Sequence, residues 1–464
     1  MSFHRQIFHL ILFVPALIIQ AEEGGATLAP LRAQASWEAG QIEEGFYYGE
    51  SRRVDKELIN HVTVWTVQEI RLAENARAFM GVGGAYFFVY PRNLGRNPYA
   101  MSKRSGFGLT DAHGEFDFWT KDGGDHGLRL KTGIFGFKYN EDAKNLGEYM
   151  FRTWTYPTII TTGGLTSINS AGAQLSGVDA NTVLGALQND VLLTIQSDHV
   201  PVFGLSLTDI ASYKLGPVTL GGGFMFDNFY HPDPKAELSP EGPGSAEGNK
   251  FYTLANGQEM AQREYADKLA AADPTVTGVA ISDSGHYTFA GQKVMGRVSL
   301  DIGKMLSSDM NFKLYSEAVV LGLKNYPTYY EKMSDRTVYL FGANIPTFGL
   351  LEVFSAEAEY CSSPWQASTR GPLGDGIAAP HVDDANIESF AVPVGTPGGL
   401  HNVKDDNLKW TLYGKRKIYE GFSIYGQVAS DHLKMLDVYS TPDFYELLLK
   451  KSHWYWVLNL SYSI

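Results

Sequence analysis

The stretch "DAHGEFDFWTKDGGDHG" packs Asp111, His113, Glu115, Asp117, Asp122, Asp125 and His126 into one short run. Carboxylate and imidazole ligands at that density can hold Ca2+ or a transition metal. Their spacing follows no ligand template, and a solvated acidic loop is the better reading. The same applies to "HVDDANIE", His381–Glu388. Ser430-Asp431-His432 and Ser452-His453 hold the residue types of a hydrolase. Neighbours in one strand point to opposite faces, so they cannot pair as nucleophile and base. The chain has no G-x-S-x-G elbow, no H-E-x-x-H, no P-loop and no G-x-G-x-x-G ahead of a helix. Its one cysteine, Cys361, supports neither an internal disulfide nor a paired-cysteine zinc site. These residues predict no enzyme activity, no catalytic residue, no metal site and no cofactor.

A second set of charges is more suggestive. Arg77, Arg129, Lys131, Arg152, Lys293, Arg297, Lys313, Lys409 and Lys415 fall on the polar face of segments whose other face is apolar. Glu148, Asp227, Asp301, Glu317 and Asp431 share that face. In Met310–Lys324, Phe312, Leu314, Ala318 and Val320 alternate with Lys313, Tyr315 and Glu317. Such a period of two is the mark of a strand with one wet and one apolar side.

Fourteen segments of this kind position those charges. They are Trp37–Gly49, His61–Leu72, Asn75–Tyr90, His126–Asn140, Leu146–Tyr156, Pro201–Lys214, Pro217–Tyr230, Gly285–Ile302, Asp309–Lys324, Arg336–Ile345, Phe348–Tyr360, Asn407–Ile418, Phe422–Asp431 and Ser452–Ile464. Arg336–Ile345 is apolar on both faces, and Phe348–Tyr360 changes phase, which calls for a bulge near Glu352. Counted back from the C-terminus, one set of connections is short. The other set is long, with loops at about 91–125, 157–200, 231–284 and 361–406. Sorting of this kind suits an antiparallel up-and-down transmembrane β-barrel with short periplasmic turns and long extracellular loops. The polar face then lines the lumen, and loop 157–200, rich in Gly, Thr and Ser, is the one expected to fold inward.

Composition agrees. There are 26 Tyr, 26 Phe and 49 Gly, and only 19% charged residues. A net charge of −13 argues against nucleic acid as a partner. His4 and Arg5 precede the apolar run Ile7–Ile19, so Met1–Ala21 reads as a cleaved signal peptide. A short segment, 22–36, then leads into a barrel over 37–464. In "SHWYWVLNLSYSI" the alternate residues Trp454, Trp456, Leu458, Leu460 and Tyr462 form one face. Trp454 and Tyr462 stand about 20 Å apart in depth on a tilted strand, near the ~25 Å apolar band between aromatic girdles. With Trp410 and Trp456 they read as membrane-interface aromatics.

On the signal peptide, the alternating segments and that terminal strand, the chain resembles a Gram-negative outer-membrane β-barrel of porin type. The resemblance implies a passive pore for small hydrophilic solutes in the outer membrane, filtered by lumen charge and an inward loop. It also implies oligomers in some members, and contact of the last strand with the barrel-assembly machinery and outer-membrane lipid. The final residue here is Ile464, where the family carries an aromatic. A different reading is a structural or adhesive barrel binding polysaccharide or a partner through loops such as "SSPWQ".

Overall fold

A strand that places apolar side chains on lipid must satisfy its backbone through its neighbours, so a spanning sheet has to close. The computed structural model shows that closure. It describes residues 26–42, 45–47, 52–54, 58–89, 105–120, 126–151, 173–195, 203–230, 250–286, 290–308, 310–324, 332–362, 372–373, 377–378, 390–391, 400–401, 407–430 and 454–464. Sixteen antiparallel strands form one barrel. In chain order they are β1 (Arg32–Ile42), β2 (Leu58–Ala73), β3 (Ala76–Val89) and β4 (Ser105–Thr120). Next come β5 (His126–Phe137), β6 (Ala173–Leu184), β7 (Leu187–Ile195) and β8 (Leu205–Leu215). Then follow β9 (Val218–Tyr230), β10 (Gly291–Asp301), β11 (Lys313–Val320) and β12 (Thr337–Asn344). The last four are β13 (Val353–Cys361), β14 (Leu408–Tyr419), β15 (Phe422–Ala429) and β16 (Tyr455–Ser463).

Each strand pairs with the next, and β16 pairs with β1 from Gln34 opposite Ser463 to Ile42 opposite Tyr455. A two-residue strand, Thr27–Leu28, continues along the edge of β2 below β1. No helix among the described residues is long and apolar enough to cross a membrane, so any crossing is made by strands.

Thirteen of the fourteen expected segments correspond to barrel strands. Leu146–Tyr156 does not: residues 146–151 belong to a non-strand segment inside the barrel, and the rest lies outside the described residues. Three strands sit where loops were expected, β4 within 91–125 and both β6 and β7 within 157–200. The inward faces of β4 and β6 carry Asp, Glu, Asn and Gly, which read as loop composition until the register is seen, whereas β7 alternates as a strand, with Leu192 buried inward and Val191 and Leu193 outward. The first strand begins at Arg32, five residues before the expected start. No bulge forms near Glu352; the phase change of Phe348–Tyr360 is a turn, with φ of 51° at Phe348 and 86° at Gly349. The signal segment Met1–Ala21 lies outside the described residues.

One rim carries the short connections, such as 74–75, 185–186, 216–217 and 420–421, together with the end of β16. At the opposite rim end β1, β3, β5, β9 and β13, from which 43–57, 90–104, 138–172, 231–290 and 362–407 lead on. Within 231–290, strands Lys250–Leu254, Glu259–Ala261 and Ile281–His286 pair, and helix α1 (Gln262–Ala270) packs beside them on Leu254, Met260 and Val276. In 362–407 the described residues form two short ladders, Pro372–Leu373 with Ile377–Ala378 and Phe390–Ala391 with Leu400–His401.

The outer face is exposed and apolar. Val64, Val191, Leu193, Leu207, Leu220, Val294, Val298, Leu314 and Leu412 run round its middle. Tyr213, Tyr419 and Tyr462 border them toward the short-turn rim, and Tyr86, Phe229, Tyr339 and Tyr360 toward the long-loop rim. That is the outer band of a membrane barrel. Asp209 interrupts it. This residue lies on β8 between Leu207 and Tyr213, four residues from Tyr213 and four from Leu205, which faces Tyr230. At ~3.3 Å per residue and ~40° of tilt, Asp209 sits about 10 Å from each aromatic border, near mid-bilayer. Replacing Asp209 with Leu is therefore expected to stabilise the lipid-reconstituted barrel by on the order of 1–3 kcal/mol. A denaturant titration in vesicles reads it; a lowered midpoint would mean that protein rather than lipid covers this face.

Candidate functional site

The inward faces hold the chemistry. β5 turns its Phe135 and Phe137 inward, and the chain then leaves the wall at residue 138. Residues 138–151 cross the lumen and lie against β10–β14. Opposite β5 in the ring is β13, eight strands away.

Carboxylates on the far wall receive this lumen segment. Glu317 of β11 accepts from the Tyr139 hydroxyl (2.6 Å), the Asn140 amide (3.1 Å) and the Tyr149 N–H (3.1 Å). Glu357 of β13 accepts the successive N–H groups of Lys144 (2.5 Å), Asn145 (3.0 Å) and Leu146 (2.8 Å), and the Tyr315 hydroxyl (2.7 Å). Glu359 accepts from the Tyr149 hydroxyl at 2.8 Å. Consecutive amides that converge on one carboxylate form a nest for negative charge. Charge-assisted bonds of this kind are worth roughly 1.5–3 kcal/mol each. At the tip, Asp142 accepts from Lys313 Nζ (2.8 Å) and Ser299 Oγ (2.6 Å). Glu148, at φ 62°, accepts from the N–H groups of Tyr139 (2.8 Å) and Asn140 (3.1 Å), so it ties the two limbs together. Gly147 at φ 89° lies so close to Leu340 that a Cβ would come within 2.6 Å of its Cδ2.

Behind the segment the lumen is dry. Phe135, Phe137, Leu192, Ile210, Met225, Met295, Val319, Val338 and Leu340 form one buried cluster with Tyr139, Leu146, Tyr149 and Met150. Full burial of each large side chain contributes about 1.5–3 kcal/mol. This packing explains why β12 is apolar on both faces: Tyr339 and Phe341 face outward, while Val338 and Leu340 lie under the lumen segment.

On β4 the "DAHGEFDFW" residues form a strand rather than the expected loop. Asp111, His113, Glu115 and Asp117 alternate along its inward face. Glu115 pairs with Arg77 at 3.0 Å and lies 3.7 Å from both Arg129 and Lys131. Asp117 pairs with Arg129 at 2.6 Å and Arg77 at 3.3 Å. His113 bonds Asp111, lies 3.4 Å from Glu115 and stacks on Phe79. The acids are thus held by cations, and no group of three or more His, Cys, Asp or Glu among the described residues is arranged for a metal.

The residues expected at the lumen divide into two groups. Arg77, Arg129 and Lys131 come together in the β3–β5 ladder and keep contact with water. Lys415 also faces inward and is half-buried. Lys293, Glu317 and Lys409 face inward but are buried. Lys293 reaches the Met150 carbonyl and lies 3.5 Å from Asp227, and Lys313 holds Asp142. Arg297 lies over the Tyr139 ring. Lys293, Glu317, Lys313 and Arg297 thus serve the lumen segment. Arg152 lies outside the described residues. Trp410, Trp456 and Tyr462 point outward on β14 and β16, and Trp454 is exposed just ahead of β16. Glu357 and Glu359 were missed in the sequence, although "EAEY" places both on one face of a strand.

A closed antiparallel sixteen-strand barrel, apolar outside and charged within, with one segment folded into its lumen, has the architecture of a porin-like barrel. No protein-family model and no curated protein matches the chain. Among solved structures it is similar to engineered forms of the Rhodopseudomonas blastica porin. A double variant gives 7% identity and a TM-score of 0.42, and a triple variant 8% and 0.41. In both cases 94% of this chain and 100% of the other are covered.

Two outcomes follow from the anchoring. Glu357→Ala leaves three adjacent N–H groups without their acceptor and is expected to expose the Lys144 bond to trypsin while the heat-modifiable barrel persists; unchanged resistance would contradict the anchor. Burial alone would raise the Asp142 carboxyl, but Lys313 and Ser299 outweigh it and hold it below its ordinary 3.8. A carboxyl lowered by folding stabilises above its ordinary value and loses that contribution as pH falls through the folded one. The hydrogen-exchange protection factors of residues 139–146 should therefore fall below pH 3.8, and Asp142→Asn should flatten that dependence.

Proposed function

We propose that this protein is a porin-like channel of a Gram-negative outer membrane, reached with a cleaved Met1–Ala21 signal, through which small hydrophilic solutes diffuse passively. The observation that carries this reading is the set of Arg77, Arg129 and Lys131 side chains, in contact with water on the inside of a closed wall. Support for the membrane comes from the outward apolar band and from the sorting of turns and loops between the rims. The filter in this reading is the lumen charge together with segment 138–151, which replaces loop 157–200 as the inward element. No covalent step is required. β16 would be the strand that the barrel-assembly machinery recognises. A binding role through the long loops has one observation in its favour, the small sheet and helix of 250–286 with its own apolar core.

Purified, heat-modifiable protein in planar bilayers should give stepwise conductance, and proteoliposomes should admit small sugars or amino acids. Folded protein with neither activity would overturn the channel.

A further inference from the structure

The charged pairs of the lumen are layered in depth. On the β3–β5 ladder the carboxylates are short and sit at the wall, while the cations lie over them. Side-chain exposure is 28% for Arg77, 24% for Arg129 and 23% for Lys131, against 10% for Glu115 and for Asp117. Each pair is a dipole whose positive end meets the water. On the lumen segment, Lys138 and Lys144 donate to carbonyls of that segment, at Ala143 and Glu141, and among the described residues neither forms an ion pair with a carboxylate, although Asp142, Glu141 and Glu357 lie near Lys144. The exposed acid beside them is Glu141. On β14, Lys415 and Lys417 share the inward face with Tyr413. The acids of the opposite wall are spent: Glu317, Glu357 and Glu359 are buried under the segment that they bind. At the β3–β5 pairs the cation is thus the partner that reaches the lumen water, in a chain whose net charge is −13.

Resting on the channel reading, we infer that the passage prefers small anions, such as chloride, carboxylates and inorganic phosphate, over cations. Low-dielectric walls focus the field of the nearest charges, so the cations that reach the water dominate over carboxylates recessed behind them. Arg77, Arg129 and Lys131 on the wall and Lys138 and Lys144 on the lumen segment set the preference.

The test is the zero-current potential of reconstituted full-length protein under a KCl gradient. The expected sign is that of a chloride-preferring pore. Lys138→Gln/Lys144→Gln should shift it toward potassium, and adding Lys415→Gln/Lys417→Gln should shift it further. Among the described residues these four lysines make no ion pair with a carboxylate, so the barrel is expected to keep its heat-modifiable migration. Lys268→Gln on helix α1, paired with Glu264 at 2.9 Å, should leave the potential unchanged. A potassium-preferring wild type, or a potential indifferent to all four lysines, would overturn the preference and leave the channel standing. Folded wild type without conductance would overturn both.

Discussion

In hydrocarbon a strand has nowhere to place its N–H and C=O groups except on another strand. The pairing of β16 with β1, nine residues long from Gln34–Ser463 to Ile42–Tyr455, meets that condition for the whole sheet. Without it, two edges would stand open to lipid and every lumen position would lose its geometry. Buried side chains reinforce the seam. Glu38 of β1 accepts from the Tyr425 hydroxyl of β15 (2.6 Å) and the Asn459 amide of β16 (3.0 Å), and lies 3.7 Å from His61 of β2. Four strands meet at that one carboxylate.

Closure creates a second problem, because a ring of sixteen strands encloses more space than its own side chains fill. The chain answers by sending residues 138–151 across the diameter. A polar backbone inside a barrel needs partners, and strand carboxylates supply them: three amides of the segment converge on Glu357, and Glu317 takes two side chains and an amide. The packed apolar cluster behind the segment makes it a strut rather than a flap. It divides the interior into a dry half near β7–β12 and a half whose charges reach water.

Two levels of information can be separated strand by strand. Where one face meets lipid and the other meets water, as in β11, β14, β15 and β16, alternation was legible and the facing residues followed. β12 failed that reading because the lumen segment dried its inner face. β4 and β6 failed because their inner faces are rich in acids, amides and glycine, residue types shared with loops. The stretch 146–151 reads as the start of a strand because Leu146, Tyr149 and Met150 pack inside the barrel, and packing inside leaves the same hydrophobic trace as packing on lipid.

The amino-acid sequence by itself determined the period of two, the outward aromatics and the inward parity of the basic residues on the described strands. These follow from local rules, since a pleated strand reverses face at every residue. Only the tertiary structure decided the number of strands, which segment enters the lumen and which carboxylates receive it. Those depend on residues far apart in the chain, Glu357 and Leu146 among them, that meet only after the ring has closed.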